Sequence, residues 1–177
     1  GINHGINAGM CAPYSGTIGA ASEAALARVP SIAVSLDSFS RDADFSTVKA
    51  LFPSIFEKLL RECNRGFGAF YNVNFPNLPA DQIKGIRITC LVRMHWEREF
   101  QPFDPDIYEK TGLRPLEDLG VTWRPEPEPG EEVFAMVGDM ITDPDTPENS
   151  DQIILKQGYI TITPQNLDNT DLAEIER

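Results

Sequence analysis

Cysteine is scarce in this chain and poorly spaced for pairing: Cys11, Cys63 and Cys90 are the only three. An odd number with no Cys-x-x-Cys spacing argues against a disulfide framework and against a thiolate zinc site. Reduced thiols of this kind suit a cytoplasmic protein. Positive charge is scarce too. Fifteen Lys and Arg stand against 27 Asp and Glu, a formal net charge of −12. Such a surface repels polyanions and excludes polymeric nucleic acid as a partner. A small phosphorylated ligand stays open, provided that something local, usually a metal ion, reverses the field. No apolar run nears the roughly eighteen residues of a membrane span, so no membrane partner is expected. Neither a Gly-x-x-x-x-Gly-Lys-Ser/Thr loop nor a Gly-x-Gly-x-x-Gly fingerprint occurs, which removes the two commonest glycine-rich phosphate cradles.

What is present is an ordinary globular composition. The 177 residues are 41% hydrophobic and 24% charged, enough for one domain with its own core. From Ser15 the stretch GTIGAASEAALARV is small and helix-forming, with Ser15 or Thr17 as N-cap. Pro30 closes it, and residues 31–36 form a continuous apolar run suited to a buried parallel strand. Residues 46–63 have helical spacing, with Val48, Leu51, Phe52, Ile55, Leu59 and Leu60 on one face. Pro53 predicts a kink or a start later than Ser46. Residues 70–75, FYNVNF, form a further strand. Loop, helix, strand, helix, strand is the order of a parallel sheet flanked by helices. Residues 86–92 alternate like a strand with one covered face, and residues 95–100 read as its partner. Residues 103–130 read as a long excursion rich in Pro and acid. Strand character returns at 132–141 and 158–163, separated by a turn-rich loop over 143–151. The tail from Asp168 begins a helix or frays.

The opening stretch GINHGINAGMCAPYSGT carries the densest chemistry. Its glycines let the backbone turn tightly and approach a ligand. Amides at the start of the Ser15 helix carry partial positive charge and form an anion site that needs no Lys or Arg. Ser15 and Thr17 add hydroxyls that can donate to phosphate oxygens. Asn3 and Asn7 each add a neutral amide oxygen, which can bind a hard divalent cation without cancelling its charge. The plainer reading, a polar loop with an N-cap, stands beside this one. His4 reads as a ligand, an acid or simply an exposed loop residue, the last being commonest for a lone His beside Gly. His95-Trp96 reads as packing. Asp139 and the acidic residues of 143–151 read as solvated, and Glu126, Glu128, Glu131 and Glu132 as surface.

Four blocks in order resemble the SurE (survival protein E) nucleotidases. They are GINHGINAG with PYSGTIGAASEAAL; VPSIAVSL; FYNVNFPNLPADQIKGIRIT; and SDQIILKQGYITITP. The resemblance implies an α/β, Rossmann-like three-layer sandwich with projecting β-hairpin arms. On this reading residues 1–177 are a single domain fragment whose first strands are missing. Residues 1–79 would be the Rossmann-like part, and residues 80–177 the arms, oligomerisation elements and closing strand. The implied activity is metal-dependent hydrolysis of nucleoside 5′- and 3′-monophosphates, with Mg2+ or Mn2+, and of short polyphosphate in some members. A homodimer or homotetramer is implied as well. Carried over by position, Asn3 is a metal ligand and, with Ser15, a catalytic residue. Asn7, Ser15, Gly16 and Thr17 line the phosphate pocket, and Asp151 matches the Asp of the closing motif. The family's Asp-Asp pair falls before Gly1, so the piece as given is expected to be inactive, and either poorly soluble or dependent on the missing segment. A non-catalytic phosphate-binding module and a structural, oligomerising role are the alternatives to catalysis.

Overall fold

The computed structural model describes residues 1–40, 42–62, 66–104 and 128–175. Cys63, Glu126, most of the 103–130 excursion and the last two residues lie outside them. The chain divides into two compact units, Gly1–Arg93 with Pro144–Arg177, and Met94–Asp143.

The first unit holds a five-stranded sheet. In chain order its elements are β1 (Asn3–His4), α1 (Gly16–Leu26), β2 (Ile32–Leu36), α2 (Ser46–Glu62), β3 (Ala69–Phe75) and β4 (Ile86–Ile88). After the second unit come α3 (Asp151–Lys156), β9 (Ile160–Asn166) and α4 (Leu172–Ile175). The strand order is β1-β2-β3-β9-β4. Strands β1, β2 and β3 run parallel, as alternation of strands and helices requires. Strand β9 runs antiparallel to β3 and parallel to β4, so the sheet is mixed.

The alternation of side chains across the strands sorts two cores. Val34, Leu36, Tyr71, Val73, Phe75, Ile160 and Ile162 pack with Val48, Ile55 and Leu59 of α2. Ala33 and Phe70 point the other way and pack with Ile18, Ala21 and Ala25 of α1. Helix, sheet, helix is the three-layer arrangement that buries both faces of the strands. The small residues of α1 let it lie close on the sheet, where the Ser31 hydroxyl donates to the Ala21 carbonyl at 2.7 Å.

Several expectations are corrected. Helix α2 starts at Ser46 and runs through Pro53. The Asp44 carboxylate accepts from both the amide and the hydroxyl of Ser46, at 2.8 Å each. That cap, with Val48 and Ile55 buried on either side of the proline, outweighs one missing backbone bond. Leu60 stays 47% exposed rather than joining the buried face. Strand β4 ends at Ile88 and pairs with β9, not with residues 95–100. Residues 151–156, whose first member was read as loop, form α3.

The second unit contains two antiparallel ribbons. Strand β5 (Met94–Glu97) pairs with β8 (Asp139–Thr142), and β6 (Phe100–Pro102) with β7 (Phe134–Met136). The single strand expected over 132–141 is therefore two, broken around Gly138. A Cβ there would lie 3.0 Å from the Glu97 carbonyl, while Arg98 opposite takes a left-handed φ of 52°. Arg98 also pairs with Asp139, which was read as merely solvated. Ala135 and Val137 form a small core with Phe103. His95 and Trp96, read as packing, are exposed, and the His95 ring bonds Glu97 at 3.1 Å.

Candidate functional site

The α1 side of the sheet carries a row of polar residues near the carboxyl ends of the parallel strands. The register aligns Asn3 with Ser35, Ser35 with Asn74, and Asn74 with Thr161, across four strands. Ser35, Asn74 and Thr161 are fully buried. Ligands of open α/β sheets bind at this edge, where helix N-termini converge.

The opening stretch folds over that row. Asn3 donates its side-chain NH2 to the carbonyls of His4 (2.9 Å) and Gly5 (2.8 Å). This fixes the amide and leaves Oδ1 without a hydrogen-bond partner among the described residues. Gly5 turns the chain at φ 80°, and its amide donates to the Ser38 carbonyl at 2.9 Å. That left-handed φ favours glycine, and a Cβ at Gly5 would also meet the Phe39 ring at 2.2 Å. Asn7 is buried and gripped on three sides. Its side chain donates to Ser35 Oγ at 2.7 Å, and its amide donates to Asn74 Oδ1 at 2.9 Å. Its carbonyl accepts from the side chains of Asn72 (2.6 Å) and Asn74 (3.0 Å). Asn3 and Asn7 are thus brought together around Ser35.

Beyond Asn7 the chain passes Gly9, at φ 68°, into a 3₁₀ turn over Gly9–Tyr14 and then into α1. Ser15 is the N-cap, its Oγ accepting from the amides of Thr17 (3.1 Å) and Ile18 (3.3 Å). Gly16 is exposed, and the space in front of its α-carbon is open. The Ser15 hydroxyl therefore closes two of the amides expected to face an anion, while Gly16 offers open backbone. No hydrogen bond joins this cap to Asn3 or Asn7 among the described residues. Gly16 and Thr17 also border an 820 Å3 groove with apolar walls that include Ile32, Phe52 and Leu60.

Asp151 is fully buried, against the expectation that the acidic residues of 143–151 are solvated. Its Oδ2 accepts from the Gly9 amide at 2.9 Å, and its Oδ1 from the amides of Val92 (3.0 Å) and Gln152 (2.8 Å). Burial raises its pKa above the ordinary carboxylate value, and these amide bonds oppose the rise. Asp37, read only as the start of a polar loop, follows β2 at the same sheet edge. Burial raises its pKa as well, opposed by the charge of Lys156. His4 is exposed, with its ring 5.0 Å from that of Phe45.

Among the described residues no group of three or more His, Cys, Asp or Glu gathers as a metal site. Asn3 nevertheless fits a hard cation. Its NH2 is committed to two carbonyls, so the atom left over is an oxygen, the donor such an ion prefers.

Asn72, Asn74 and Ser35 were not singled out as site residues from sequence. The signal was present in FYNVNF: two amides at period two in a strand buried along its whole length. Such groups need partners, and theirs is the Asn7 backbone.

A three-layer α/β sheet with a polar loop over its carboxyl edge is a class of ligand-binding fold with many chemistries. The particular family is narrower. A family model described as "Survival protein SurE" matches residues 1–98. The chain is 34% identical over 177 residues to 5′-nucleotidase SurE of Syntrophomonas wolfei, covering 100% of this chain and 58% of that protein. It is 35% identical over 164 residues to 5′-nucleotidase SurE of Petrotoga mobilis, covering 93% and 55%. The crystal structure of the SurE protein from Aquifex aeolicus superposes with a TM-score of 0.66 at 25% identity, covering 99% of this chain and 61% of that one. The chain belongs to the SurE family, and it spans a little over half the length of the curated relatives it matches.

Proposed function

We propose that this protein is a nucleotidase, hydrolysing nucleoside 5′-monophosphates to nucleoside and phosphate. The observation that carries the reading is the alignment of the whole chain with proteins named 5′-nucleotidase SurE. The Asn3–Thr17 stretch supports it. A divalent cation, Mg2+ or Mn2+, would be held in part by Asn3 Oδ1. Bound there, it would polarise a phosphoryl oxygen and lower the pKa of a coordinated water. Asn7, locked to Ser35 and Asn74, keeps the loop rigid beside the substrate. Gly16 and the positive end of α1 stabilise charge on the phosphoryl oxygens. The Ser15 hydroxyl accepts from the Thr17 and Ile18 amides through its oxygen, and its own proton can donate to a phosphate oxygen.

Nucleoside 3′-monophosphates and short polyphosphate are further substrates of this reading. A homodimer or homotetramer is proposed as well, since the ribbons of the second unit expose Phe100 and Met136. The chemistry is tested by phosphate release from adenosine and guanosine monophosphates by the full-length protein, with and without Mn2+. Asn3→Ala is expected to lower metal-dependent turnover by at least about 1.4 kcal/mol of activation free energy, roughly tenfold. Equal rates for Asn3→Ala and the unsubstituted protein remove Asn3 from the metal shell.

A further inference from the structure

Resting on the nucleotidase reading, we propose that Asp151 is the positioning residue of the phosphate-binding turn. Its carboxylate holds the Gly9 amide and so fixes where the 3₁₀ turn delivers Ser15, Gly16 and Thr17.

The argument begins with what the carboxylate meets. All three of its described partners are amide donors, those of Gly9, Val92 and Gln152. Both oxygens are used as acceptors. An Asn side chain of the same shape would set an NH2 against at least one of those N–H groups. The site is therefore built for two bare oxygens, which only a carboxylate offers. A fully buried carboxylate is a costly choice if the aim is only to fill space. The aspartate is itself anchored, since its own amide donates to the Cys90 carbonyl at 2.8 Å and it opens α3.

The carboxylate also reaches the turn by a second route. The Met10 amide donates to the Val92 carbonyl at 3.1 Å, and Val92 is the residue whose amide Oδ1 holds. The first two amides of the turn are thus tied to one side chain, directly and through one residue. Five residues later the same turn ends in the Ser15 cap. Asn7, two residues before Gly9, is fixed separately by Asn72 and Asn74. With both ends of the Asn7–Gly9 segment pinned, the start of the turn that leads to the cap is fixed. Misplacing such groups by about 1 Å can cost roughly a hundredfold in rate.

The test uses the full-length protein with Asp151→Asn, Asp151→Glu and a control, Val48→Ala, on the buried face of α2. Three quantities are read below the melting transition: turnover per folded molecule, inhibition by inorganic phosphate, and amide exchange over residues 9–17. Asp151→Asn is expected to lower kcat roughly 10- to 100-fold, to weaken phosphate inhibition and to accelerate exchange across 9–17. Val48→Ala is expected to lower the melting temperature while leaving all three near their original values. Asp151→Glu keeps two bare oxygens with one methylene too many. It is expected to fall between, and it carries the test if the Asn variant does not fold. A folded Asp151 variant that behaves like Val48→Ala in all three overturns the proposal. So does a Gly9 amide that exchanges as an unprotected glycine in the unsubstituted protein. If the unsubstituted protein releases no phosphate, the nucleotidase reading fails. Exchange and phosphate binding then decide the role of Asp151 alone: local loosening of 9–17 upholds it, and none overturns it.

Discussion

Replacing Asn74 by Leu removes three hydrogen bonds while keeping the number and branching of the side-chain heavy atoms, and the losses are unequal. Asn74 is fully buried. Its Oδ1 is the described acceptor of the Asn7 amide, while its NH2 serves the Asn7 carbonyl and Asn72 Oδ1 (3.3 Å). The Asn7 carbonyl keeps its bond from Asn72 at 2.6 Å and loses little. The Asn7 amide is left buried without an acceptor, a penalty of about 1–3 kcal/mol. The other two bonds are worth about 1–2 kcal/mol together. Leu returns about 1–2 kcal/mol through greater apolar burial. The net is a destabilisation of about 2 kcal/mol. In urea unfolding, with a slope of about 2 kcal/mol/M, the midpoint should fall by roughly 1 M. Asn72→Leu makes the comparison sharp. It leaves the Asn7 carbonyl bonded to Asn74 and orphans no backbone amide of Asn7, so it should cost less. An unchanged midpoint for Asn74→Leu, or the reverse order of the two variants, would refute this account of the amide cluster.

The remaining predictions concern the two caps. Ser15→Ala should destabilise α1 by about 1 kcal/mol, whereas Ser15→Gly should cost only a few tenths. If both lose turnover equally in the full-length protein, the hydroxyl acts on substrate; if only Ala loses it, the hydroxyl acts through the cap. The Asp44 cap gives a pH dependence of definite sign. Bonds from the Ser46 amide and hydroxyl lower its pKa in the folded state. Its contribution is therefore present above the ordinary Asp value of about 3.9 and lost as pH falls through the lower, folded value. Helical circular dichroism of Asp44→Ala should fall below that of the unsubstituted protein at neutral pH and converge with it in acid. A constant gap down to the acid limit would exclude the carboxylate as the cap.

The parts legible in the sequence are those whose partners are near in the chain. The Ser15 cap bonds amides two and three residues away, and α1, β2, α2 and β3 follow from spacing and punctuation. The Asn3 and Asn7 positions stood out through the glycines around them. Where periodicity was weak, as in residues 86–102 and 132–141, strand character was visible but pairing was not. The ladder of β4 with β9 joins segments more than seventy residues apart. No local pattern specifies which edge a three-residue strand will find.

The sequence alone settled the elements of the helix–sheet–helix core, because side-chain period and capping are local consequences of backbone geometry. Family membership could also be read from ordered motifs. Tertiary structure decided what holds the site in place. Asp151 meets Gly9 across 142 residues, and Asn74 meets Asn7 across 67. A buried carboxylate and a surface one look identical in a string of letters; burial and the choice of partners arise only when distant segments close on one another.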